Sequence, residues 1–189
     1  YKKYKEHSPS IMIENYWYNL NLGTASELKD VIEESRKEFA KKLVQERHLS
    51  KREADNLAEN LIGVTWDVGH INFWRSGGYG KERILEETKK IAPYVKQLHI
   101  TDNFGFSDAH LAAGMGNSPI SEELKILKEK SNGKFDFKEG NVIVEAAPLV
   151  AQFKEDPHPY TLEYFNSPLY TYKPPSAPYW PQLLETTSY

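Results

Sequence analysis

Apolar residues along this chain fall into four short, β-branched runs separated by longer stretches with helical spacing. The runs occupy residues 11–14 (IMIE), 61–67 (LIGVTWD), 97–101 (QLHIT) and 141–145 (NVIVE). Each is nearly continuous in apolar residues, the pattern of strands buried on both faces. Thr24 and Glu27 have the spacing of a helix capping box, and Leu28, Val31, Ile32, Ser35, Phe39 and Leu43 then recur at helical steps. This predicts an amphipathic helix reaching about His48. Ser50 with Glu53 repeats the signal and opens a shorter helix through Asn60. Ile84, Ile91, Tyr94 and Val95 mark a helix between Gly80 and Lys96, with Pro93 disturbing its last turn. Ser121 can cap another that carries Leu124 and Leu127. Residues 73–80 (FWRSGGYG) and 102–117 read as loops. The order βαβαβαβ favours a parallel sheet with right-handed crossovers, an α/β fold.

The pattern stops at Asp156. Seven of the 11 prolines and six of the 12 tyrosines lie between Pro157 and Tyr189. Proline at that density blocks regular structure, while the aromatics favour burial. The chain therefore divides into a β/α portion, 1–155, and an extended tail, 156–189, which either wraps its own domain or docks on a partner subunit.

With 189 residues the chain can form one domain with a sizeable core. Its net charge of -3 gives no general attraction to nucleic acid. Cysteine is absent, which excludes disulfides and thiolate metal sites and fits a reducing cytoplasm. No apolar run approaches the ~20 residues that span a bilayer, so no membrane partner is expected. A chain that opens on Tyr1 and runs at once into a buried-looking strand reads as a piece of a longer polypeptide.

The chemistry gathers at strand ends. Glu14, Asp67 and Glu145 each close one of the four runs, and His99 lies near the end of the other. In a β/α barrel the C-terminal ends of the strands converge on the active site, so four such groups can surround one divalent ion. Glu145 ends Val142-Ile-Val144, where an unpaired buried carboxylate would be costly. His99 sits in an apolar run and needs a metal or a hydrogen-bond partner. His70 lies just past Asp67, and Asp108 and His110 share a loop with Gly114 and Gly116. Asp102 and Asn103 either orient His99 or cap that loop. Trp66, Phe73, Trp74 and Arg75 are expected at the same mouth, aromatic faces for a sugar and an Arg for a phosphate or hydroxyl.

The segments I-E-N (13–15), D-V-G-H (67–70), L-H-I-T-D-N-F-G-F-S-D-A-H-L-A-A-G-M-G-N (98–117) and V-I-V-E (142–145) resemble the xylose isomerase-like TIM-barrel superfamily. That group holds sugar phosphate isomerases and epimerases and the family 2 apurinic-site (AP) endonucleases. The resemblance covers about residues 11 to 150. It implies the C-terminal half of a (β/α)8 barrel, strands five to eight, with four parallel strands and crossover helices.

For the isomerases and epimerases it implies one divalent metal ion (Mn, Mg, Co or Zn) held by Glu14, Asp67, His99 and Glu145. Glu14 and Glu145 would also be the catalytic acid/base pair, moving a proton through an enediol of a sugar or sugar phosphate. His70 would contact substrate hydroxyls. For the endonucleases it implies up to three zinc ions, with His70, Asp108 and His110 as additional metal ligands and a nucleic-acid substrate. The short loop at 99–110 and the mildly acidic charge favour the sugar enzyme. A non-catalytic half-barrel assembly module is a third expectation. The other half of the barrel would come from the same longer chain, from another chain or from a homodimer mate.

Overall fold

The computed structural model describes residues 8–131, 133, 135, 141–154 and 156–167. Four strands, β1 (Ile11–Glu14), β2 (Ile62–Asp67), β3 (Val95–Ile100) and β4 (Val142–Val144), form one parallel sheet in the order β1-β2-β3-β4. Between and after them run α1 (Ala25–Arg47), α2 (Lys51–Leu61), α3 (Val68–Asn72), α4 (Lys81–Ile91), α5 (Ile120–Lys130), α6 (Ala147–Phe153) and α7 (His158–Tyr164). Each strand neighbours the next in sequence, the arrangement of four consecutive barrel units. Among the described residues nothing pairs with the outer edges of β1 and β4. No helix there is long and apolar enough to cross a membrane.

Both predicted capping boxes are present, Thr24 with Glu27 and Ser50 with Glu53. A second cap reaches α1 from another element. The Glu87 carboxylate of α4, buried and held by Lys90 and Arg83, accepts from the Ala25 backbone N–H at 2.8 Å. Leu28 and Ile32 of α1 are buried against the sheet, while Val31 turns out to face solvent. Arg36 then ties α1 to the start of β2, donating from Nε and Nη2 to the Ile62 carbonyl at 3.0 and 2.8 Å. These contacts fix α1 and α4 beside the strands whose far ends carry the chemistry.

Strand alternation gives the sheet two unlike faces. Val64, Trp66, Leu98 and Ile100 point into the helix layer, where they meet Leu28, Ile84 and Leu127 in one core. Thr65 and Gln97, on the other face, hydrogen bond to each other at 2.9 Å. Edge residues Ile11, Ile143 and Val144 are exposed.

Several expectations change. Residues 73–80 are loop only in part: Phe73–Gly77 is a 3-10 turn that continues α3, which follows β2 directly. The Asp67 side chain starts that helix by accepting from the Gly69 and His70 N–H groups. The helix before β3 ends at Ile91, with Ala92–Tyr94 as a 3-10 turn around Pro93, and β3 begins at Val95 rather than 97. Ser121 does not cap α5, which starts at Ile120 without a side-chain cap. Its hydroxyl and backbone N–H instead meet the Tyr164 hydroxyl. Residues 158–164 of the expected extended tail are helical, since a proline in the first turn costs no hydrogen bond. Residues 168–189 lie outside the described residues.

Candidate metal centre

The pairing register decides which side chains meet. Glu14 pairs with Thr65, Asp67 with His99, and His99 with Ile143, two residues before Glu145. Paired residues share a face and alternate residues return to it, so Glu14, Asp67, His99 and Glu145 all project from the face opposite the helices. One ligand atom from each lies within 4.8 Å of all the others. His99 Nδ1 stands at the middle, 3.1 Å from Glu14 Oε1 and 3.0 Å from Glu145 Oε1.

Asp67 is the most constrained of the four. Its Oδ1 accepts from Gly69 N at 2.6 Å, His70 N at 3.2 Å and Thr101 Oγ1 at 3.0 Å. Its Oδ2 is buried and has no hydrogen-bond partner. A bare carboxylate oxygen of that kind is costly, and a cation would satisfy it. The donor set, three carboxylates and one imidazole, suits Mg, Mn, Co or Zn. The residues present therefore fit a divalent ion.

Three more predicted residues join the same cluster. His70 donates from Nδ1 to the Asn15 carbonyl at 2.8 Å, which turns Nε2 toward Asp108 Oδ2 at 3.5 Å and Asp67 Oδ2 at 3.8 Å. His110 places Nε2 3.0 Å from Asp108 Oδ2 and Nδ1 3.2 Å from the Glu145 carbonyl. Burial opposes charge on His70, yet the Asp108 hydrogen bond and the Asp67 carboxylate outweigh it, and the ring is pushed up to about 9. Burial likewise opposes charge on His99, but hydrogen bonding and attraction to Glu14 raise it. Burial would raise Glu14, but the His99 hydrogen bond holds it below the usual carboxylate range. Asp67, where burial dominates, is raised. The shifts on His70 and His99 both favour positive charge on ground where the carboxylates call for a cation.

Asp102 belongs to the loop. Its two carboxylate oxygens accept four backbone N–H groups, from Asn103, Gly114, Gly116 and Ser118, at 2.9 to 3.0 Å. This makes it the cap that shapes 102–118, not a partner of His99. Gly116 has no room for a side chain: a Cβ would lie 2.4 Å from Asn103 O and from Asp102 Oδ1.

Two expected mouth residues face the core. Trp66 is fully buried on the helix side and donates Nε1 to Glu123 at 3.0 Å, because it alternates with Asp67 along β2. Trp74 is buried between Tyr18 and Tyr79. Arg75 braces the loop, donating from Nε to Asn72 Oδ1 at 2.8 Å and from Nη2 to the Asn117 carbonyl at 3.5 Å. Beside the cluster the aromatic surface is instead Tyr16, stacked on Trp17 at 5.1 Å and edge-on to His70 at 6.0 Å. Tyr16 and Asn15 were not singled out from sequence, although both follow Glu14 directly.

The fold is thus four consecutive β/α units with a carboxylate–histidine cluster at the strand ends. No protein-family model matches the chain. MJ1311 of Methanocaldococcus jannaschii, described only as an uncharacterized protein, is 37% identical over 68 residues, 36% of this chain and 22% of that protein. The crystal structure of a D-tagatose 3-epimerase-like protein aligns with a TM-score of 0.50 at 20% identity, covering 86% of this chain and 48% of that one. At that identity the likeness is one of fold, and it agrees with half of a β/α barrel. The chain spans about half the length of that structure.

Proposed function

We propose that this chain carries the metal-binding half of a divalent-cation-dependent isomerase or epimerase acting on a sugar or sugar phosphate. One observation carries the reading: four strand ends each deliver a ligand atom to one point, and the most buried, Asp67 Oδ2, has no hydrogen-bond partner. Glu14, Asp67, His99 and Glu145 would hold one Mn, Mg, Co or Zn ion. When bound, the ion would polarise a substrate carbonyl and offset the charge that develops on its oxygen.

Proton movement falls to the carboxylates. The Glu14 and Glu145 side chains are 37% and 32% exposed, against 0% for Asp67, and they flank His99 on either side. One can take a proton from carbon while the other returns it, the division of labour of a general base and a general acid. Asp67, buried and fixed by three donors, is suited to binding alone. His70 would hold a substrate hydroxyl.

Among the described residues the outer edges of β1 and β4 are unpaired, and with the exposed Ile11, Ile143 and Val144 they support a second half-barrel as partner. It would complete the sheet and supply further substrate contacts.

A second reading has its own support. His70, Asp108 and His110 lie within 3.8 Å of one another's ligand atoms or of the first four. Seven ligands could hold up to three zinc ions, as in an AP endonuclease acting on DNA.

Metal analysis with calorimetric titration separates the two. One ion per chain, with solvent deuterium entering a ketose or ketose phosphate, is the expected result for a chain completed by its second half. Two or three zinc ions and incision of abasic duplex would replace it with the nuclease. No cation uptake at all would remove both.

A further inference from the structure

Asn15 is the residue where β1 stops following β2. The ladder ends with Glu14 opposite Thr65, the Asn15 N–H makes a last bond to the Thr65 carbonyl at 3.4 Å, and Tyr16 turns away to bond Leu22. Both backbone groups of Asp67, which is fully buried, would then lack partners. The Asn15 side chain takes over. Its Oδ1 accepts from Asp67 N at 2.6 Å and its Nδ2 donates to Asp67 O at 3.0 Å. A primary amide is the side-chain group that donates and accepts as a peptide does. Glutamine carries one methylene too many, aspartate cannot donate, and leucine offers neither group. Asn15 is itself completely buried. Its backbone carbonyl accepts the His70 Nδ1–H at 2.8 Å. One residue thus touches the strand end carrying Asp67, the ring of His70 and, through the chain, Glu14.

We propose that Asn15 is a positioning residue for the carboxylate–histidine cluster: its amide sets the gap between Glu14 and Asp67, and its carbonyl sets the orientation of His70. This role rests on the cation reading above. It touches neither substrate nor reacting atoms, and acts only through the ligands it holds.

The test uses Asn15→Ala in the full chain, with Asn15→Ser, whose hydroxyl is too short to span both Asp67 groups, should the alanine variant fail to fold. Ile32→Val in the helix layer serves as a control of general destabilisation. Amide hydrogen exchange on metal-free protein is expected to speed at least 10-fold at Asp67, with Val64 and Leu98 unchanged. Titration of Mn²⁺ and of Zn²⁺, each alone, is expected to give affinity weakened by about 10- to 100-fold, the range seen when the supporting shell of a metal site is cut. Ile32→Val should leave that affinity as it is. Unchanged cation affinity in the Asn15 variants overturns the proposal while leaving the metal site standing. Equal loss in Ile32→Val also overturns it, since the effect would then be general. Should the native chain bind neither ion, the functional reading falls by itself. Exchange then judges Asn15 alone, and protection of Asp67 that survives the substitution overturns its role.

Discussion

Glu123 tests the helix layer behind the site. It is fully buried in α5, its Oε2 accepts from Trp66 Nε1 at 3.0 Å and from Thr88 Oγ1 at 2.7 Å, and its Oε1 has no partner. Burial pushes the carboxyl up to about 8 from its ordinary 4.5. Between those values the native chain binds a proton that the unfolded chain has released, so stability is full below 4.5 and falls as pH rises toward 8. At about 1.4 kcal/mol per pH unit the complete effect is roughly 5 kcal/mol, of which roughly 3 kcal/mol is lost between pH 5 and 8. Glu123→Gln removes the titration and keeps an oxygen for Trp66 and Thr88. Urea unfolding of both proteins at pH 5, 6, 7 and 8 should show the native curve dropping relative to the variant by roughly 3 kcal/mol. Other titrating groups are common to both proteins and cancel in the difference. A fixed cost of burying the amide shifts the variant curve without tilting it. Parallel curves would refute a protonated, buried Glu123.

Three further substitutions probe the frame and the site. Asp67→Asn keeps an oxygen for Gly69, His70 and Thr101 but removes the buried charge; cation binding by calorimetry should fall at least 100-fold, with the metal-free melting temperature unchanged or higher. Glu87→Ala strips a cap from α1 and removes an ion-pair partner of Arg83 and Lys90, and denaturant unfolding should show a loss of about 1–2 kcal/mol. Gly116→Ala forces a Cβ against Asn103 O and Asp102 Oδ1, so thermal melts should fall by an amount equal to about 1–3 kcal/mol, and proteolysis should begin in the 102–118 loop.

Helix starts were legible where their chemistry is local. Thr24–Glu27 and Ser50–Glu53 announce α1 and α2 within four residues, and the capping bonds form as the spacing predicts. The strand-end acids and His99 were legible because apolar runs stop at them. The convergence of Asp108 and His110 on the same point depends on a loop wound around Asp102, which only the fold reveals. α3 escaped because Asp67 does two things at once, capping a helix with one oxygen and facing the cluster with the other. Trp66 was placed at the mouth by nearness in sequence, although a residue adjacent to a ligand on a strand must point the other way. Asn15 left a faint signal, an amide at the end of a buried strand. Its meaning needed the partner strand.

The centre also carries mechanical information. Side chains stand roughly perpendicular to a sheet, and β1 and β4 are three strand spacings apart, about 14 Å if the sheet were flat. Yet Glu14 and Glu145 both reach His99 Nδ1, at 3.1 and 3.0 Å. Concavity of the sheet on that side would bring them together, the sheet bent as a stave is bent before the cask is closed. An ion gripped by all four ligands would act as a tie-rod between the outermost strands and resist their spreading. Anything that splays the edges would be felt at the centre as strain on its two glutamates.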